Sequence, residues 1–168
     1  MAAGSTYTPI ATTTLGSNQA NVTFNSFSGY TDLVLVATVK TVTYGGVNLN
    51  INVNSDTGSN YSWTALVGNG SSATSTRSSN QTYMDGDVNS LMDTSTFTQY
   101  NISFMNYANT TTYKTVLSRA NNPRTGGATE AVVNLWRFTS AITSMTFDCG
   151  ADSFATGSTF TLYGIASA

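Results

Sequence analysis

A chain of 168 residues with six basic and eight acidic side chains has a net charge of −2, and charged residues make up only 8 % of it, against about 25 % in an average globular protein. The absence of His and the single Cys149 exclude a Ser-His-Asp triad, a Cys-His pair, an imidazole or thiolate metal cluster and an internal disulfide. Six scattered cations cannot form a phosphate-tracking stripe for nucleic acid, while 40 % hydrophobic and 11 % aromatic residues exclude disorder and predict one domain with its own core.

In chain order, residues 1–14 have no basic start and no apolar stretch, so they do not read as a signal peptide. With Pro9 inside it, this segment is expected to be an extended N-terminal arm. Strands are expected near 21–25 and 32–40. Leu33-Val34-Leu35-Val36-Ala37 is the longest apolar run, far short of the roughly 20 residues of a membrane span. It is apolar on both faces and reads as a central strand covered on two sides. Near 47–54, Leu49, Ile51 and Val53 alternate with Asn48, Asn50, Asn52 and Asn54, a strict period of two. A strand near 61–67 leads into residues 68–96, a Ser-, Thr-, Asn- and Gly-rich stretch that reads as one long insertion. Beyond it, Tyr100, Ile102 and Phe104 mark a strand near 97–106, and another is expected near 112–119. Ala131-Val132-Val133-Asn134-Leu135-Trp136, near 130–138, is again apolar on both faces. Met145, Phe147 and Cys149 alternate near 144–149, and Phe160 and Leu162 near 158–165.

Thr, Ser and Asn supply 68 residues, whereas Glu, Lys, Arg and Gln total ten. Branched and aromatic side chains suit a pleated surface better than a helix. Turn signals such as Gly45-Gly46, Gly68-Asn69-Gly70 and Asn121-Asn122-Pro123 separate the strands. The expectation is an all-β fold, a jelly-roll-like two-sheet sandwich of about eight or nine strands. Residues 15–168 would form the single domain behind the arm.

Candidate chemistry is sparse. Asp85-Gly86-Asp87 with Asp93 is the densest acidic group, but it lacks the spacing and closing Glu of a calcium loop, so it reads as a turn. Glu130 is the only Glu, and Asp32 precedes a strand; a carboxylate pair of the glycosidase kind would need both. Cys149 reads as a small buried hydrophobe. No catalytic residue, metal or cofactor is expected. The row Asn48, Asn50, Asn52, Asn54 places four amides on one strand face, roughly 6.6 Å apart. It is open to three readings: a sugar-binding face with Tyr44, Tyr61 or Trp63 as stacking platforms, a contact with a neighbouring subunit, or a solvated face.

The surface carries its own argument. Sheet proteins blunt their edges with Lys, Pro and charge, and this chain has two Lys and two Pro in all. Its edges are expected to be hidden in a homo-oligomer or beneath its own arm, and the molecule to dock on something larger.

Two stretches carry a resemblance. Tyr7-Thr8-Pro9-Ile10-Ala11-Thr12-Thr13-Thr14-Leu15-Gly16, followed by Val22-Thr23-Phe24 and Tyr30-Thr31-Asp32-Leu33, resembles the opening of small virion proteins of tailed bacteriophages. Phe154-Ala155-Thr156-Gly157-Ser158-Thr159-Phe160-Thr161-Leu162-Tyr163-Gly164-Ile165 is similar to their closing strand. The two frame the chain; residues 68–96 match nothing in that pattern. The resemblance implies a jelly-roll structural component and carries over no catalytic residues. Assembly in a reducing cytoplasm would need neither leader nor disulfide. A capsid decoration or cement protein is expected, a trimer or other small ring on the virion surface, contacting the major capsid protein through Tyr7, Pro9, Ile10 and Leu15. The alternative is a tail-fibre or spike module that binds host surface glycans. No membrane or nucleic-acid partner is expected in either case.

Overall fold

Residues 6–43, 45–122 and 127–166 are described by a computed structural model, and none of them is helical. Among the described residues the strands are, in chain order, β1 (Tyr7–Thr14), β2 (Asn21–Phe24), β3 (Asp32–Val39), β4 (Asn50–Val53), β5 (Tyr61–Gly68), β6 (Ala73–Gln81), β7 (Met84–Asp85), β8 (Thr98–Phe104), β9 (Lys114–Asn121), β10 (Thr129–Trp136), β11 (Met145–Asp148) and β12 (Thr159–Ile165). They form two antiparallel sheets. The larger has the order β1-β12-β3-β8-β9-β10-β5-β6, and the smaller β2-β11-β4-β7.

Period-two alternation sends one side chain in two into the space between the sheets. Leu33, Leu35, Ala37 and Val39 from β3, Tyr100, Ile102 and Phe104 from β8, and Phe160 and Leu162 from β12 meet Val22, Phe24, Ile51, Val53, Met145 and Phe147 from the smaller sheet. Phe147 is the hub. Its ring stands edge-on to Phe24 at 6.3 Å and Phe104 at 6.5 Å, and it is tilted against Phe160 at 6.2 Å, in the offset arrangements that aromatic quadrupoles favour. Phe147 thereby ties a small-sheet strand to two strands of the large sheet.

Three expectations change. First, the stretch read as an arm is, over Tyr7–Thr14, the outermost strand of the large sheet. It runs in register from Tyr7 opposite Ile165 to Thr14 opposite Thr159, with an irregularity between Pro9 and Ala11. Backbone pairing holds it, helped by a Thr12–Thr161 hydroxyl contact at 3.2 Å and the Tyr7 ring edge-on to Tyr163 at 6.2 Å. Pro9 and the irregularity blunt this edge, since Pro offers no N–H and a bulge twists the strand away. Second, residues 68–96 are not one insertion. They carry β6, which pairs with β5 along its length and forms the other edge of the large sheet, and β7, which pairs with β4. Third, β3 and β10 are central in the large sheet, but their outer faces are covered only in part; outward Val34 on β3 is buried. Val36 on β3 is 40 % exposed, and Val133 on β10 is 49 % exposed.

Candidate functional site

The interior holds a polar seam as well as an aromatic one. Inward positions on three neighbouring strands carry Tyr100 (β8), Ser118 (β9), and Glu130 and Asn134 (β10), all buried. They fasten the segment that follows β6. Asn134 donates from Nδ2 to the Asp85 carbonyl at 2.9 Å and accepts the Asp85 amide at 3.0 Å, so its side chain imitates a neighbouring strand. Ser118 Oγ donates to the Gly86 carbonyl at 2.6 Å, and Glu130 Oε2 accepts the Val88 amide at 2.7 Å. Asp87 Oδ1 accepts from the Leu49 amide and the Tyr100 hydroxyl, each at 2.8 Å; its Oδ2 accepts the Leu91 amide at 2.7 Å. Asn122 Nδ2 closes the seam onto the Leu91 carbonyl at 2.6 Å.

Three carboxylates therefore share the interior. Burial pushes Asp85 up to about 7, with the neighbouring Asp87 charge adding to the effect. Burial also raises Glu130 to about 7, again with Asp87 and Asp85 contributing. Asp87 is raised by burial despite the hydrogen bonds from Leu91, Leu49 and Tyr100 that favour its charged form. Among the described residues, no three His, Cys, Asp or Glu side chains form a cluster able to hold a metal ion. Asp93 turns its Oδ1 to the Ser95 amide at 2.7 Å.

The other sequence candidates are distributed as follows. Glu130 faces the core of β10, and Asp32 accepts the Asn106 amide at 2.6 Å at the start of β3. Two strands, β8 and β9, separate them in the sheet, so they share no site. Cys149 is buried, and its thiol is pushed up to about 12, by burial first and then by the charges of Asp152 and Asp148.

The asparagine row is occupied internally. Asn48 donates to Asp85 at 3.2 Å and accepts the Ser90 amide at 2.8 Å; Asn50 donates to Asp148 at 2.9 Å. Asn52 reaches the carbonyls of Asp56 and Thr82, and Asn54 that of Ala141 while accepting the Thr143 amide. These amides lace loops to β4. Tyr61 is fully buried with its hydroxyl donating to the Asp56 carbonyl at 2.8 Å, which removes it as a stacking platform. Tyr44 lies outside the described residues. Of the assembly candidates, Tyr7 and Pro9 are exposed, Ile10 packs partly against the core, and Leu15 belongs to the core. Leu15 is held there by backbone bonds to Ser158 and Gly157.

What remains open is the outer face of the large sheet. Leu66 on β5 is 63 % exposed, and Ala131 on β10 pairs with it on one side and with Arg119 of β9 on the other. In the next row Val133 lies between Thr64 and Leu117. Beside them is a hollow of about 570 Å³ lined by Leu66, Ser75, Arg119, Thr129 and Ala131. Sequence reasoning passed over Leu66 and Arg119. The signal that pointed here was the two-faced apolar pattern of 131–136, since an outward Val133 and Leu135 make sense only if something covers them. The chain matches no protein-family model and no curated protein.

Proposed function

We propose that this chain is a non-enzymatic structural protein that works by docking onto a larger assembly, and that it is a capsid decoration or cement protein of a tailed-phage head. In this reading the sandwich is of the jelly-roll kind, the molecule is a homotrimer or similar small ring on the virion surface, and the major capsid protein is its partner. One observation carries the reading: on the outer face of the large sheet, Leu66 of β5 and Val133 of the neighbouring strand β10 are left exposed by the chain itself. Contiguous exposed apolar surface on a weakly charged protein marks an interaction site.

Two further features support it. The stretches that resemble phage virion proteins fall on β1, β2, β12 and the start of β3, and β1, β12 and β3 are neighbours in the large sheet. The candidate polar groups are engaged in holding loops rather than gathered in an open cleft, which suits a scaffold whose work is mechanical. Docking would spread contact area over neighbouring shell subunits and so resist internal pressure. The test combines equilibrium sedimentation of the purified chain with its attachment to emptied phage heads. A small closed oligomer that attaches stoichiometrically is expected; a monomer without affinity for any head overturns the reading.

A further inference from the structure

The outer face of the large sheet has a one-sided charge pattern. No outward position of β8, β9, β10, β5 or β6 carries a carboxylate; the single acidic residue in those strands, Glu130, points inward and is buried. Two cations stand on the same face. Arg119 faces Ala131 across β9 and β10, and its Nη2 donates to Asn101 Oδ1 at 3.3 Å. Arg77 on the edge strand β6 pairs with Thr64, one row from Leu66. Arg119 shares its row with Ala131 and Leu66, and Arg77 shares the next row with Val133 and Leu117.

This pattern decides between occupants. A two-fold contact of the face with a second copy would set the same patch against itself, bringing four guanidinium groups together with no carboxylate to meet them, and like charges across an interface oppose association. A partner that complements the face must supply what it lacks. We propose that the Leu66–Val133 face, with the hollow beside Arg119, is a docking site for an acidic-aliphatic protein segment, in which a Leu- or Val-type side chain enters the hollow and flanking carboxylates meet Arg119 and Arg77. Arg and carboxylate pair through a planar, two-pronged geometry that also fixes orientation. The inference rests on the docking reading above and adds the chemistry of the partner.

A short synthetic peptide alternating leucine and glutamate is the probe, titrated into the isotope-labelled full chain while backbone amide resonances are followed. Shifts are expected on β5, β9 and β10, weaker with a leucine–glutamine peptide and absent with a leucine–lysine peptide, and they fade as salt is raised. Leu66→Ser is expected to weaken binding roughly tenfold, and Arg119→Gln up to about fivefold. Arg119→Glu is expected to shift preference toward the lysine peptide. Both side chains are at the surface, so the variants should keep the wild-type amide spectrum elsewhere, which is checked in the same experiment. Equal responses to all three peptides, shifts confined to other surfaces, no response, or concentration-dependent self-association through these amides would each overturn the inference. Attachment to emptied heads without peptide binding would remove this inference alone. Peptide binding without head attachment would remove the phage reading and leave the face as a docking site.

Discussion

Glu130 shows how a single side chain sets the conditions under which the fold is most stable. One oxygen accepts the Val88 amide; the other is buried with no hydrogen-bond partner. Its carboxyl and that of Asp85 are held near 7 by burial, with Asp87 adding to both and Asp85 adding to Glu130. In the unfolded chain both return to the ordinary carboxylate range near 4. Between those limits the folded state binds more protons than the unfolded one, so stability is fully present below about pH 4 and is lost as pH rises through about 7. Asp56 works in the opposite sense. Burial alone would raise it, but hydrogen bonds from Trp136 Nε1, the Gly58 amide and Asn60 together hold it below its usual value. Its contribution is present above about pH 4 and is lost in acid. Calorimetry across pH should therefore place the highest Tm at roughly pH 4–5, declining toward neutrality. Glu130→Gln, which keeps an acceptor for Val88, should flatten the decline. A Tm that is level from weak acid to pH 8, or an unchanged slope in the variant, would contradict this assignment.

At the scale of an element, strands β12 and β1 are held by details that composition does not announce. Gly164 sits one pair from the end of the ladder between β12 and β3, where the Tyr30 ring lies directly on it; a Cβ there would overlap the ring. Gly164→Ala should lower Tm by roughly 3–10 °C, and adding Tyr30→Ala should recover part of the loss by clearing the space. Deletion of residues 1–14 tests the status of β1. As an integral strand it shields the edge of β12, so its removal should lower Tm in thermal denaturation; an unchanged Tm would restore the reading of this segment as a free arm. The same elements show what could be read in advance. Strands β2, β4, β5, β8, β11 and β12 advertise themselves because one face meets the core and apolar residues recur with period two, and β3 and β10 through runs apolar on both faces. β1 and β6 hide because no position of either is buried and both are rich in Thr or Ser, so backbone pairing holds them with no apolar rhythm. β7 is two residues long and depends on Asn134 for its register. The asparagine row was legible as a strand but not as a lacing device, since amides aimed at distant loop carbonyls look the same in sequence as amides aimed at solvent. The polar seam had a trace: Glu130 and Asn134 share the parity of Val132 and Trp136, which marks them as inward-facing polar groups needing partners.

For the molecule as a whole, cohesion and attachment draw on different forces. Cohesion comes from the aromatic layer around Phe147 and from hydrogen bonds in which Asp56 and Asp87 accept from amides, a hydroxyl and an indole. Asp87 is fully buried, and a group so placed is screened little by salt. Even Lys114, buried on β9 with its pKa lowered by that burial, donates to the carbonyls of Thr112 and Thr139. Attachment, in the docking proposed above, relies on exposed guanidinium groups around an apolar patch, where screening acts fully. The two should separate in one experiment. Raising sodium chloride from low to high concentration should move Tm by no more than about 2 °C, in keeping with surface terms of a few tenths of a kcal/mol, while attachment to emptied heads or to an acidic-aliphatic peptide weakens progressively. A Tm that falls steeply with salt would mean that ion pairs hold the sandwich together. Salt-independent attachment would mean that the apolar patch acts without Arg77 and Arg119.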